Sequence, residues 1–133
     1  MNIPTIVPQS PSYMPDELDN TQAAYLGGAS IAWDRMASEA PLDAEALAAV
    51  VASDIVVVSG SYDHVERVLQ ALEVPYQTVQ PGLLARVDLR PEQLLVVNCP
   101  GDLTPAEIIK VRDFVAAGGS LFTTDWALRN VIE

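Results

Sequence analysis

From residue 53 onward the chain alternates between two hydrophobic periods. Residues 54–60 (DIVVVSG) form a short continuous apolar run closed by glycine, the pattern of a parallel strand covered on both faces. Residues 62–73 place Val65, Val68, Leu69 and Leu72 on one face at i, i+3, i+4 and i+7, which predicts an amphipathic helix stopped by Pro75. Residues 76–80 (YQTVQ) read as a short strand, Pro81-Gly82 as a turn, and 83–92 as a loop or a single helical turn. Residues 93–99 (QLLVVNC) repeat the buried-strand pattern. Thr104-Pro105-Ala106-Glu107 then supplies an N-cap threonine, a proline at the first helical position and a glutamate at the third, a capping box. The helix it starts runs to Ala117, is expected to bury Ile108, Val111 and Val115, and stops at Gly118-Gly119. Residues 120–125 (SLFTTD) make a fourth strand, and Trp126 to Ile132 begins another helix.

Strands alternating with helices at this spacing imply βαβ units with right-handed crossovers. The predicted fold class is α/β, a flavodoxin-like three-layer αβα arrangement with a short parallel sheet in the order 2-1-3-4. Ligands of such sheets sit outside the carboxyl ends of the strands, where the order reverses. Here that point lies between Ser59-Gly60-Ser61 and Asn98-Cys99-Pro100-Gly101, with Thr124-Asp125-Trp126 one strand further along.

The segment before residue 53 differs. Pro4, Pro8, Pro11 and Pro15 block helix over residues 1–20 and favour an extended, flexible arm. Ala23, Ala24, Leu26, Ile31, Trp33 and Met36 suggest helix over 20–40, with a bend or break at Gly27-Gly28, since each glycine costs about 1 kcal/mol relative to alanine. Pro41 ends that stretch, and residues 42–52 form a second helix with Asp43 and Glu45 near its positive end. The predicted organisation is an arm over 1–20, a helical extension over 21–53 and an α/β domain over 54–133.

Composition narrows the function. Half of the 133 residues are apolar, enough for a packed core. Eighteen acids against seven bases give a formal charge of −11, which repels phosphate backbones and anionic lipid, so neither nucleic acid nor membrane is an expected partner. A single cysteine, Cys99, cannot form an internal disulfide, and a cytoplasmic location is the simple reading.

The familiar α/β signatures do not fit. The loop after the first strand, SGSYDH, has one glycine, where a dinucleotide fold needs G-x-G-x-x-G. The sequence has no G-K-[ST] phosphate loop, and its one lysine, Lys110, falls in a helix. The first strand ends Val58-Ser59-Gly60, without the acidic pair of a phosphoacceptor receiver. No cofactor is predicted.

Residues 54–133, and above all LTPAEIIKVRDFVAAGGSLFTTDWAL, resemble the class I glutamine amidotransferase-like superfamily. This group includes ThuA-like domains, a non-catalytic domain of some β-galactosidases and domains of ciliary transport proteins. In its catalytic members the strand after the Gly-Gly runs into a G-x-C-x-G elbow. Laid on this chain, the elbow is Thr123-Thr124-Asp125-Trp126-Ala127, so Asp125 stands where the nucleophilic cysteine would be and both glycines are missing. The stretch that would carry the family's histidine and its acidic partner is also absent from these residues. A nucleophile needs both the atom and its base, so the resemblance implies a module without glutaminase chemistry and, among these residues, no catalytic group.

The remaining candidates are weighed singly. Cys99 closes a strand, where a small apolar residue is expected. His64 lies across the crevice, so a Cys99–His64 pair is conceivable, but Asp102 would raise the thiol pKa and no third group is seen to orient the imidazole. Asp63, His64, Asp102 and Asp125 fall near one edge without a recognised ligand spacing, so no metal site is assigned. Asp125 reads as the N-cap of the last helix. Two functions follow. The first is a non-catalytic amidotransferase-like module for protein–protein interaction or homo-oligomeric assembly, with Leu121, Phe122 and Trp126 at the interface. The second is a ThuA-like domain binding or processing a sugar or other small ligand at Ser59, Gly60, Ser61, His64, Asn98, Cys99, Gly101 and Asp125. The strand over 120–125 would be a bare edge unless the arm, another copy or a different subunit covers it. The end, DWALRNVIE, reads as an incomplete helix, so a fragment of a longer chain is a third expectation.

Overall fold

A computed structural model describes residues 7–9 and 20–133. The strands are β1 (Val7–Gln9), β2 (Ile55–Val58), β3 (Tyr76–Val79), β4 (Leu94–Val97) and β5 (Ser120–Thr123). The helices are α1 (Asn20–Glu39), α2 (Pro41–Ala48), α3 (Val65–Ala71), α4 (Pro105–Ala116) and α5 (Trp126–Ile132). Strands β3, β2, β4 and β5 lie side by side and all parallel, the predicted 2-1-3-4 order of the α/β domain. β1 adds an antiparallel fifth strand outside β3, pairing Val7 with Thr78 and Gln9 with Tyr76. The rest of the Pro-rich arm lies outside the described residues.

The alternating side chains of the central strands feed two cores. Val56, Val58, Leu95 and Val97 pack with Leu84 and with Val111, Phe114 and Ala127 of α4 and α5. Ile55, Val57 and Val96, with Val74 and Tyr76, meet Leu47 and Val50 at the end of α2 and Val65, Leu69 and Leu72 around α3. Helices therefore cover both faces, which is why β2 is apolar throughout rather than alternating.

Local expectations fail at four places, each for a packing reason. α1 runs unbroken through Gly27-Gly28. The cost of two glycines is offset because α1 is anchored just beyond them: Ala29 is buried, and Trp33 Nε1 donates to the Leu72 carbonyl at 3.1 Å. The second helix ends at Ala48 rather than near 52, and residues 52–54 form a 3₁₀ turn in which Asp54 Oδ2 accepts from the Val51 N–H. Val68 is exposed, because the short α3 turns Val65, Leu69 and Leu72 to the sheet. On α4 the buried line is Glu107, Val111 and Phe114, and Val115 is exposed. Both Val115 and Phe114 fit the helical period from Val111, and packing against the sheet turns Phe114 inward.

Glu107 is the one fully buried acid among the described residues. Its Oε2 accepts from the Thr104 N–H at 2.8 Å, which completes the capping box of α4. Its Oε1 reaches across to the buried Leu84 N–H at 2.9 Å. The same carboxylate thus starts a helix and holds the loop between β3 and β4.

Glu107→Ala removes two charge-assisted bonds and strands a buried amide, so it is expected to lower unfolding free energy by about 2–4 kcal/mol in urea denaturation. Glu107→Gln keeps the shape and one acceptor and should cost roughly half as much. Equal, negligible losses would show that the bridge carries no weight.

Candidate functional site

The carboxyl ends of β2 and β4 meet as predicted, and the loop after β4 is tied to both of its neighbours. Asn98 is fully buried. Its Oδ1 accepts from the Val65 N–H at 3.0 Å, and its Nδ2 donates to Glu66 Oε2 at 2.8 Å, so the amide caps the start of α3 from another strand. The Cys99 carbonyl accepts from the N–H groups of Ser61 and Tyr62 at 3.0 and 3.3 Å. On the other side the Cys99 N–H donates to Thr124 Oγ1 at 2.9 Å. Gly60 is packed so closely on the Asn98-Cys99 backbone that a Cβ there would collide with the Cys99 carbonyl oxygen and the Asn98 side chain. Gly101, at φ 71°, lies against Ala127 of α5, and a Cβ would come within 2.9 Å of it.

The predicted site residues therefore gather at one edge, but most are spent on the fold. Ser59 donates its N–H to the Val79 carbonyl at 3.0 Å, and its hydroxyl accepts from Gln80 Nε2 at 3.4 Å. His64 does not pair with Cys99. Its Nδ1 lies 3.1 Å from Glu66 Oε1. Glu66 is the residue that sequence reasoning missed: it orients both the His64 imidazole and the Asn98 amide. Its position two residues after His64, in the first turn of a helix, was the available signal.

The groups that do converge are Asp63, Cys99 and Asp125, whose donor atoms all lie within 4.8 Å of one another. His64 and Asp102 are not part of this group, which corrects the expected cluster. The Cys99 thiol is buried and donates to Asp125 Oδ2 at 3.7 Å. Burial pushes the thiol pKa up most strongly. A hydrogen bond from the Trp126 backbone pulls it down, and the charges of Asp125 and Asp63 push it up again. A cation touching all three groups would have to displace that proton.

Asp125 occupies the N-cap position of α5, but its side chain makes no cap bond. Its backbone sits at φ 43°, ψ −120°, a conformation that costs a non-glycine residue of the order of 1–3 kcal/mol. The turn from β5 into α5 is thus sharp and strained, the kind of strand-to-helix turn that lifts a side chain above the sheet edge. The carboxylate points toward the thiol rather than along the helix.

Two apolar hollows lie away from this edge. One, of about 340 Å³, runs between α1 and α3, lined by Tyr25, Gly28, Ala32, Val68 and Leu72 among others. The second, of about 390 Å³, lies between α4 and α5 and borders β5, lined by Val111, Arg112, Val115, Leu121, Val131 and Ile132. Of the predicted interface residues, Leu121 is half-buried, and Phe122 and Trp126 are 52% and 53% exposed. The Arg129 guanidinium lies 5.6 Å from the Trp126 ring centre. No helix among the described residues is long and apolar enough to cross a membrane. No protein-family model, curated protein or solved structure matches the chain.

The raised thiol pKa fixes a sign. The protonated thiol is favoured in the folded state, so its contribution is present below the ordinary thiol pKa and is lost as pH rises through the folded value. Wild type should therefore lose melting temperature relative to Cys99→Ala as pH rises above the ordinary thiol range of about 8.5. Asp125→Asn, which removes one of the groups raising the pKa, should speed alkylation of native Cys99. Fast wild-type alkylation at pH 7 would contradict this reading.

Proposed function

We propose that the chain is a non-catalytic glutamine amidotransferase-like module that acts in protein–protein interaction or assembly, with the β5 edge as its working surface. The observation that carries this reading is the state of that edge. Among the described residues β5 pairs only with β4, and its four residues, Ser120-Leu121-Phe122-Thr123, include no charge and no proline. Native sheets blunt exposed edges with such residues, or cover them. The opposite edge is treated in that way, because β1, which contains Pro8, lies along β3. The arm strand therefore covers the edge away from β5. Phe122 adds to the argument: it shares a face with Val96, beyond the helices that cover Val96, and is half-exposed.

The pseudoenzyme part of the proposal rests on Asp125. The strained turn that carries it supports the likeness to an amidotransferase elbow, and a carboxylate is a far weaker acyl nucleophile than a thiolate. His64, the only histidine, is held by Glu66 rather than directed at Asp125. The small-ligand alternative has less support, since Asn98, Cys99 and Gly60 fill the crevice with contacts between the loops.

Purified protein is expected to release no ammonia from glutamine, and Asp125→Cys alone should not create that activity. Turnover by wild type would overturn the non-catalytic reading. In sedimentation at tens of micromolar, wild type should exceed the monomer mass and Phe122→Glu should not. A wild-type monomer, indistinguishable from Phe122→Glu, would contradict assembly through this edge.

A further inference from the structure

We infer that the occupant of the β5 edge is a second copy of the chain, joined by antiparallel β5–β5 pairing about a two-fold axis through Phe122. The inference rests on the proposed edge-binding role and adds the partner and the register.

The register follows from which backbone groups are free. The Ser120 N–H donates to the Gln93 carbonyl and the Thr124 N–H to the Val97 carbonyl, at 3.4 and 3.3 Å. In a parallel ladder the N–H and C=O of one residue point the same way, and successive residues alternate. Ser120, Phe122 and Thr124 therefore face β4, while Leu121 and Thr123 turn both their N–H and C=O groups toward the open side. An antiparallel partner can use all of these groups only where Leu121 of one copy stands opposite Thr123 of the other. The match is reciprocal, so a two-fold gives four N–H···O bonds from two residues per copy. Phe122 then meets Phe122 as a non-hydrogen-bonded pair, with Cα atoms about 4.5 Å apart. Cross-strand partners share a face in this register, so the half-exposed phenyl rings cover each other.

The neighbouring registers make fewer bonds, because observed contacts block their flanking positions. Centring the axis on Leu121 would require the Gly119 N–H, which already donates to the Phe114 carbonyl at 2.9 Å. Centring it on Thr123 would require Asp125 to continue the strand, but its φ of 43° turns the chain away.

Charge does not oppose self-pairing locally in this register. The chain carries −11, yet the paired strand segment is neutral. The two Asp125 residues would lie six positions apart along the strands, about 20 Å at ~3.3 Å per residue. That exceeds the screening length of about 8 Å at physiological ionic strength. A four-residue strand pair alone covers less than the roughly 800 Å² per partner of a stable interface. The apolar groove beside Leu121, with exposed Val115 and Ile132 at its rim, supplies further surface bordering the same edge.

The test is disulfide trapping in the full chain. Phe122→Cys puts two thiols on the axis at a separation a disulfide spans, and native Cys99 is buried and does not compete. Ser120→Cys is the control: in this register the two copies of residue 120 are four positions apart, about 13 Å. Mild oxidation should give at least ten times more covalent dimer from Phe122→Cys than from Ser120→Cys. Both positions lie on the outer strand, and Ser120 is exposed, so at least one variant reports even if the other folds poorly. Trapping of Ser120→Cys, or of neither variant, while Phe122→Glu still dissociates the assembly, would overturn the register and leave the edge-binding role standing. A wild-type monomer in sedimentation would overturn both.

Discussion

The Asn98-Cys99 segment is bonded to the loops on both sides of it, and much of the molecule depends on that. Strand β4 is central and parallel, so the loop at its carboxyl end must satisfy its own polar groups while meeting the ends of β2 and β5. It does so with the Asn98 side chain capping α3, the Cys99 carbonyl accepting from Ser61 and Tyr62, and the Cys99 N–H reaching Thr124. Each bond is of modest net worth, about 0.5–1.5 kcal/mol for neutral pairs, but an unmade bond at a buried site would cost more. The arrangement holds the three strand ends at fixed distances, and it occupies the crevice where sheets of this topology bind ligands.

With the crevice occupied, the unsatisfied chemistry of the molecule lies at the side. Leu121 and Thr123 present backbone donors and acceptors with no protein partner among the described residues. Phe122 lies beyond the helical layer that covers its face of the sheet. The two edges of the sheet differ in kind: a proline-bearing strand lies along β3, while β5 is neutral and uncovered among the described residues. A sheet with two open edges can polymerise, whereas one open edge can close with a two-fold.

The fold was largely legible because parallel strands buried on both faces and bracketed by Gly, Pro and a capping box leave a plain trace. Ile55–Val58 and Leu94–Val97 could be read from their apolar runs, and α4 from Thr104 to Glu107. Choices within a helix face were less legible. Val115 and Phe114 are both apolar, and only three-dimensional packing decides that Phe114 turns inward. The glycine pair in α1 misled because local propensity says nothing about the anchor from Trp33 to Leu72. At the site, the gathering of Ser61, Asn98, Cys99 and Asp125 followed from topology. The roles of Glu66 and Glu107 did not, because each acts on backbone or side chains that are distant in sequence. The convergence of Asp63 with Cys99 and Asp125 likewise depends on loop geometry that no spacing encodes.

The central claim is that this chain works through the backbone of β5 rather than through the crevice at its strand ends. Residue-resolved amide hydrogen exchange tests it most directly, because Leu121 and Thr123 direct their N–H groups to the open side while Phe122 directs its own to β4. In concentrated protein the Leu121 and Thr123 amides should be protected to an extent approaching that of Phe122, and dilution should release those two while leaving Phe122 slow. Exchange of Leu121 and Thr123 at unprotected rates at every concentration would contradict the account.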